Sequence, residues 1–598
     1  MLVTADGFSA LLQTLSLTQG LFKPTVSSVV NTIGDVSTLI NGTAMNATGT
    51  LLGGAGGGQI NSFTGSTASS GTMEDAACQV EPYDIPGPID ETFPPFDEAS
   101  ANIYRYRQQQ SVNLGSWFVH ENWMTPSLFK CAAGKKLSEL DIASGWGSTT
   151  NAKAVLERHW DTFVNQSDFE YLASIGINTV RLPIGYWNLG PYYCHDTPYA
   201  AVADVYESAW SRVVRAINMA GEAGLGVLVD LHGAVGSQNG QPHSGISDGT
   251  MNLFSSEDNV NKTISALAFL MQQLGSVTNV VGIQILNEPQ NVPELPGFYT
   301  QAIAAMRSAS PEAASFPLYI HDGFDLQLFS DYVANHTDFI VQDNHSYFVY
   351  TASDVAESGD QHSGDVHGSV ASALQKASDN EHRNIVVDEW SCALAPQSLS
   401  KEADPNASRK DFCTGQMEVY TNTTAGWGFW SYNKEDCVND PGWCFKAAVG
   451  NSLPNTFFSY GQAQARNPTQ TQALSSMSMS RHRHRLASLH HRRQSPSSSS
   501  SSSSSNGTLF DYDGYAMTMD QIAIVKGYSD GFMTAKLFAT YDMSRLGFAA
   551  QYINDSVKAL GPDVIEVGTE HCYTEWFMNG LQDGQAVVFG AVGAQNNV

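Results

Sequence analysis

Two short segments place a carboxylate among residues that suit it for chemistry: Asn287-Glu288-Pro289 and Asp388-Glu389-Trp390. Elsewhere along the chain stand Glu121, Arg181, His232, His321, His345, Tyr347 and Trp430. Two carboxyl groups can cleave an acetal. One protonates the departing oxygen while the other works from the opposite face of the sugar ring. When the pair is ~5–5.5 Å apart, the second attacks the anomeric carbon directly and configuration is retained. Asn287 could hold a sugar 2-hydroxyl, a contact that strengthens in the transition state. Arg181 could orient a carboxylate and keep it ionised, and Trp430 offers a flat apolar face to a pyranose. Taken singly, each has an ordinary reading: a solvated glutamate, a hydrogen-bonded histidine, a core tryptophan, a surface ion-pair arginine. Only joint placement gives them meaning.

The elements supply that placement. From 103 to 461, eight short runs rich in β-branched and aromatic residues alternate with helical stretches. The runs cover 112–118, 179–187, 226–234, 280–289, 317–324, 339–347, 384–390 and 426–433, with helical stretches such as 205–223 and 260–274 between them. Eight strand–helix units predict an α/β fold, a (β/α)₈ barrel with long loops, whose functional side chains come from the C-terminal strand ends. Read there in order are Glu121, Arg181, Asp230-Leu231-His232, Asn287-Glu288, His321, His345-Ser346-Tyr347, Glu389 and Trp430. An open doubly wound sheet is the alternative, but no Gly-rich phosphate loop follows the first strand.

Composition bounds the rest. Of 598 residues only 15% are charged, and 59 acidic against 30 basic residues give a formal charge of −29. A nucleic-acid binder needs a surplus of Lys and Arg, so that class is excluded. No run of 18 apolar residues is present, so no membrane-spanning helix is expected. Four regions are expected: a poorly ordered, Gly/Ser/Thr-rich segment 1–84; the barrel, 85–462; a low-complexity linker, 463–508; and a small helical region, 509–598. The proline-rich stretch 82–96 reads as an extended arm lying on another surface. The linker carries Arg481, Arg483, Arg485, Arg492 and Arg493, then nine serines, and cannot bury enough apolar surface to order itself. Its basic cluster could meet an anionic glycan or membrane, though a solvated linker is the favoured reading. Such a linker argues against tight docking of 509–598, which is expected to be dispensable for turnover of small substrates; the alternative is that its helices cover apolar barrel surface and are structural. Two echoes there, Gly527-Tyr-Ser-Asp-Gly531 and Asn579-Gly-Leu-Gln-Asp-Gly584, suggest related turns.

Secretion is the favoured compartment. Asn-x-Ser/Thr sequons occur at Asn41, Asn46, Asn165, Asn261, Asn335, Asn344, Asn406, Asn422, Asn506 and Asn554, and matter only in that pathway. Cys392/Cys413 and Cys437/Cys444 could close loops, and no CxxC pattern appears. Residues 1–20 lack the basic and apolar regions of a signal peptide.

Six motifs together resemble one family: Val112-Asn-Leu-Gly-Ser-Trp-Phe118, Val180-Arg-Leu-Pro-Ile-Gly-Tyr-Trp187, Asp230-Leu-His-Gly-Ala234, Gly236-Ser-Gln-Asn-Gly240, Asn287-Glu-Pro289 and Glu389-Trp390. The family is the fungal exo-β-1,3-glucanase branch of glycoside hydrolase family five, and the likeness covers roughly 103–461. It implies a retaining barrel enzyme with no metal and no cofactor, acting on a β-glucan at the cell wall as a monomer. Matched motif by motif, it implies Glu288 as acid/base and Glu389 as nucleophile. It also implies Glu121, Arg181, His232, Asn287, His345, Tyr347 and Trp430 around the terminal glucose, with Tyr347 on the nucleophile. The chain departs from the pattern at Asp388 (Gly in the family) and at Asn344-His345-Ser346 (His-rich in the family). It departs again at Gln241 (Phe in the family), whose partner across the cleft is Tyr350. Strand alternation points Asp388 away from Glu389, so structural consequences alone are expected there. Gln241 and Tyr350 alter the aromatic grip on the second sugar. A β-1,6-glucanase or β-glucosidase could share every one of these residues, and a catalytically silent wall-binding protein on the same scaffold is a reading of another class.

Overall fold

The computed structural model describes residues 78–84, 92–461 and 516–594. Eight parallel strands close into a barrel in chain order: β1 (Gln109–Asn113), β2 (Thr179–Gly185), β3 (Gly226–Gly233), β4 (Val280–Gln284), β5 (Leu318–His321), β6 (Ile340–Ser346), β7 (Ile385–Trp390) and β8 (Gly426–Phe429). Closure runs from β1 to β8, with Gln109 beside Gly426 and Val112 beside Phe429. Strands covered on both faces read as near-continuous apolar runs, and nearly every strand residue is buried. Alternation sorts them. Val227, Val229 and Leu231 pack outward into the large core under the helices, whereas Leu228 joins the interior cluster with Val281, Tyr319, Val341 and Val386.

β1 begins three residues earlier than the sequence suggests and ends at Asn113. Gln109 and Gln110 look like loop residues, yet both are buried, and Gln109 points into the closed barrel, where its Nε2 donates to the Tyr319 hydroxyl at 2.6 Å. The apolar run beyond Asn113 turns out of the sheet, and Ser116 adopts a φ of 57° there.

The barrel does not end at residue 461. Helices Met519–Thr540, Ala549–Leu560 and Glu570–Ala594 close the face opposite the C-terminal strand ends. Phe538, Phe548, Ile553, Tyr573 and Phe577 share one core with Ile103, Tyr106, Phe339 and Ala425 from the barrel's lower rim. Backbone bonds seal the junction: Gln108 N donates to Arg545 O at 2.7 Å and Gly547 N to Tyr106 O at 2.8 Å. The expectation of loose attachment is thus corrected. The linker's composition describes the linker, while docking is decided by apolar faces further along.

The two glycine echoes are not turns either. Gly527, Gly531, Gly580 and Gly584 all lie on the seam between the first and third of these helices, Gly527 and Gly531 against the backbone of Tyr573 and Phe577, Gly580 and Gly584 against that of Tyr528 and Phe532. A Cβ at Gly531 would stand 2.0 Å from the Phe577 carbonyl oxygen, and one at Gly580 would stand 2.1 Å from that of Tyr528. The four-residue spacing therefore marks close helix contact.

Of the N-terminal segment, 78–84 lies on the barrel: Cys78 is bonded to Cys131, and Arg158 stacks on Tyr83. Residues 92–97 run along the surface as an arm, with Asn218 donating to the Thr92 carbonyl. Residues 1–77, the 85–91 part of the arm and the linker 463–508 fall outside the described residues. Cys392–Cys413 and Cys437–Cys444 are both disulfides, and Cys194 is a buried thiol.

Candidate active site

Glu288 follows β4 with a φ of 42°, a left-handed conformation that a glutamate adopts at a cost of order 1–3 kcal/mol and that clusters at functional sites. Glu389 ends β7, where the register shifts between Val387 and Trp390. The two carboxylates meet across one imidazole. His345 Nδ1 lies 2.7 Å from Glu288 Oε1 and 3.4 Å from Glu389 Oε2. The separation of those oxygens cannot exceed the two distances together, which is below the ~6.5–9.5 Å of inverting pairs.

Arg181, on β2 and fully buried, holds the nucleophile side. Its Nη1 donates to Glu389 Oε1 at 2.8 Å and to Asn113 Oδ1 at 2.9 Å, Nη2 to Asn287 Oδ1 at 2.7 Å, and Nε to Gln284 Oε1 at 2.7 Å. Asp230 Oδ2 stands 3.1 Å from Nη2. The Tyr347 hydroxyl donates to Glu389 Oε2 at 2.9 Å. Burial raises the Glu389 carboxyl above the ordinary range, and Arg181 and Tyr347 act against that rise.

His345 sits between two carboxyl groups, because its Nε2 is 3.0 Å from Asp343 Oδ2. Burial, then the Arg181 charge, keeps its pKa well below the usual imidazole value, so the ring is neutral and has one hydrogen. One of the two carboxyls must then carry a proton. A protonated Glu288 donating to Nδ1, with Nε2–H on Asp343, is the state a general acid requires. Asp343 is itself pushed up to about 7 by burial, against the Arg181 charge.

A second histidine approaches Glu288 from the other side. Asp230 Oδ2 accepts from His232 Nδ1 at 2.7 Å, and His232 Nε2 is 3.2 Å from His243 Nδ1. His243 Nε2 then reaches to 3.8 Å from Glu288 Oε2. Burial, followed by the neighbouring His232, lowers the His243 pKa to about 3. The fixed donor at His232 Nδ1 leaves His243 Nε2 as an acceptor. Nothing in the sequence singles out His243 except its place two residues after Gln241.

The carboxylates open into a cleft of about 280 Å³, at the small end of ligand pockets. Glu121, His232, Glu288, Tyr347, Glu389 and Trp430 line it, whereas Arg181, Asn287, His321 and His345 lie behind them, buried. The His321 ring packs edge-on against His345 at 4.3 Å. Asp388 is fully buried, and burial, then Asp343, raise its carboxyl well above the usual carboxylate range. Gln241 and Tyr350 both reach the cleft, joined by two residues that sequence reading missed, Trp123 and Trp443. Those indoles meet edge-to-face at 5.4 Å, and Trp443 also packs against Tyr347 at 5.5 Å. The mouth is thus more aromatic than the loss of one Phe suggests. The Cys437–Cys444 disulfide, next to Trp443, was its one sequence signal of an ordered loop.

A closed eightfold barrel with a carboxylate pair at its C-terminal strand ends defines a hydrolase of glycosidic bonds. The model of the family described as Cellulase (glycosyl hydrolase family 5) matches residues 145–436. The chain is 32% identical over 371 residues to glucan 1,3-beta-glucosidase 3 of Schizosaccharomyces pombe, an alignment covering 59% of this chain and 75% of that protein. It is 31% identical over 398 residues to a probable glucan 1,3-beta-glucosidase A of Aspergillus niger, covering 60% and 90%. Among solved structures, rutinosidase from Aspergillus niger aligns at 17% identity with a TM-score of 0.46, over 57% of this chain and 96% of that one. The chain belongs to glycosyl hydrolase family 5.

Proposed function

We propose that this chain is a retaining exo-glucosidase that releases glucose from the non-reducing end of β-1,3-glucan. The observation that carries the reading is the neutral His345 held between Glu288 and Glu389. Arg181 and Tyr347 favour charge on Glu389, which leaves Glu288, across the same ring nitrogen, as the carboxyl to carry the proton. In the first step Glu389 attacks the anomeric carbon as Glu288 protonates the glycosidic oxygen, and the leaving sugar departs. In the second step Glu288, now a carboxylate, takes a proton from water, which displaces Glu389 and restores the β configuration. Trp430 and His232, stacked at 5.8 Å, together with Glu121, form a wall for the terminal glucose. The cleft's small volume supports removal of one sugar at a time.

The same reading makes the protein an extracellular, wall-associated glycoprotein acting as a monomer. Three disulfides support an oxidising compartment. Of the sequon asparagines among the described residues, Asn165, Asn261, Asn335, Asn406, Asn422 and Asn554 are exposed. Asn344 is buried and donates to Asp322 at 2.6 Å, so it is not an acceptor in the folded chain. Product analysis on laminarin tests the assignment: glucose alone at early times supports it, and oligosaccharides as first products exclude it.

A further inference from the structure

Glu357, His362 and Asp365 gather in the segment after β6, with one ligand atom from each within 4.8 Å of the others. Local structure brings them together. The short helix Ala352–Ala356 ends at Glu357 in extended backbone, and Ser358 opens the next helix, Gly359–Asp365, through a capping box with Gln361. His362 and Asp365 are three residues apart on that helix and so share a face. A π-turn, Val366–Val370, follows directly, and such turns recur at functional sites.

The imidazole is fixed in place and in tautomer. His362 is fully buried and packs against the rings of Phe348 at 5.7 Å and Phe412 at 6.0 Å. Its Nε2 lies 2.9 Å from the Asp354 carbonyl oxygen. A carbonyl can only accept, so Nε2 carries the hydrogen, and in the tautomer with that hydrogen alone Nδ1 presents a lone pair. That Nδ1 is buried without a hydrogen-bond partner, and the nearest carboxylate oxygen, Glu357 Oε2, is 3.5 Å away. Three groups able to donate an electron pair thus lie together, the Glu357 and Asp365 carboxyls in hydrogen-bond contact with each other. An imidazole whose other N–H is anchored on a backbone carbonyl is the usual arrangement of a metal-ligating histidine. Ligands ~2.0–2.2 Å from a tetrahedral zinc ion stand about 3.3–3.6 Å from one another, which matches the His362–Glu357 spacing.

We propose that Glu357, His362 and Asp365 bind one divalent first-row cation, for which Zn²⁺ is the probe. Glu357 is partly exposed and Asp365 exposed, so the ion can enter from solvent and water can complete its coordination. The site shares no residue with the cleft, and its role is structural. The Asp354 carboxylate accepts from Tyr350 N at 2.9 Å and Thr351 N at 2.8 Å, so an ion on His362 anchors the loop that carries Tyr350 to the cleft mouth.

The test strips the full chain with EDTA and titrates Zn²⁺ by calorimetry beside the double variant Glu357→Gln/Asp365→Asn. His482, His484, His490 and His491 offer further imidazoles to zinc, so the reading is the difference between the two proteins. The wild type should take up one ion more per chain than the variant, and Zn²⁺ should raise its Tm while leaving the variant's unchanged. Unaltered turnover of an aryl glucoside shows that the variant is folded. Equal loading and an equal thermal response in the two proteins would overturn the proposal.

Discussion

Arg181 Nη1 donates to Glu389 Oε1 at 2.8 Å from a side chain that is wholly buried and bonded at every nitrogen. A lysine cannot reproduce that fork. Breaking a buried charged pair costs about 3–5 kcal/mol, so Arg181→Lys should lower kcat/KM by at least about a hundredfold. A loss below tenfold would show the nucleophile to be held by other groups.

The same contact sets the acid limb of the pH profile. Glu389 works as a carboxylate, burial raises its pKa, and Arg181 opposes the rise. Activity should therefore fall as pH drops through a pKa above the usual carboxylate range. Arg181→Met removes the opposing charge, so the acid limb should move to higher pH. The groups acting on Glu389 are Arg181, Tyr347, Asp343 and Asp230, with His345 and Glu288 beside it, and Tyr347→Phe should shift the limb in the same direction by less. An unmoved limb in Arg181→Met would refute this electrostatic account.

Glu288 and Glu389 should separate kinetically, because only one of them protonates the leaving group. Glu389→Ala should lose turnover on every substrate. Glu288→Ala should be crippled on glucan yet partly spared on aryl glucosides whose leaving group needs no proton, with a gap of ~10²–10⁴-fold. His243→Ala should show the same preference more weakly, as expected for an acceptor 3.8 Å from Glu288 Oε2. Equal losses by the two glutamate variants on an activated aryl glucoside would mean that the roles are misassigned.

The C-terminal helices should be needed for stability. Phe548 is fully buried against Phe339, their rings 5.2 Å apart, and removing such a ring costs about 3–5 kcal/mol. Phe548→Ala should lower the Tm clearly, and a chain ending at 461 should be insoluble or inactive. A soluble truncated chain with unchanged Tm would contradict the docked arrangement.

At the cleft mouth, Trp443 should matter more than Gln241. An aromatic contact is worth roughly 0.5–1.5 kcal/mol, so Trp443→Ala should raise the Michaelis constant for laminaribiose by up to about tenfold. Gln241→Phe should lower it and increase transfer to sugar acceptors. If neither substitution moves the constant, this face does not hold the second sugar.

Much of this was legible in the sequence, for identifiable reasons. Strand alternation and the strand-end positions of Asn287-Glu288 and Glu389 are local patterns, and they located the barrel and the carboxylates. What escaped depended on tertiary closure. Gln109 reads as polar but lies inside the barrel, the helices after 516 dock by faces that only folding brings to the lower rim, and His243 and Trp443 reach the cleft from loops with no periodicity.

The central claim is double displacement by Glu389 and Glu288 at the non-reducing end, and its most direct measurement is proton NMR of laminarin in the first minutes of reaction. The account predicts β-glucose as the initial product, with α-glucose appearing only as mutarotation proceeds. α-Glucose first would contradict it.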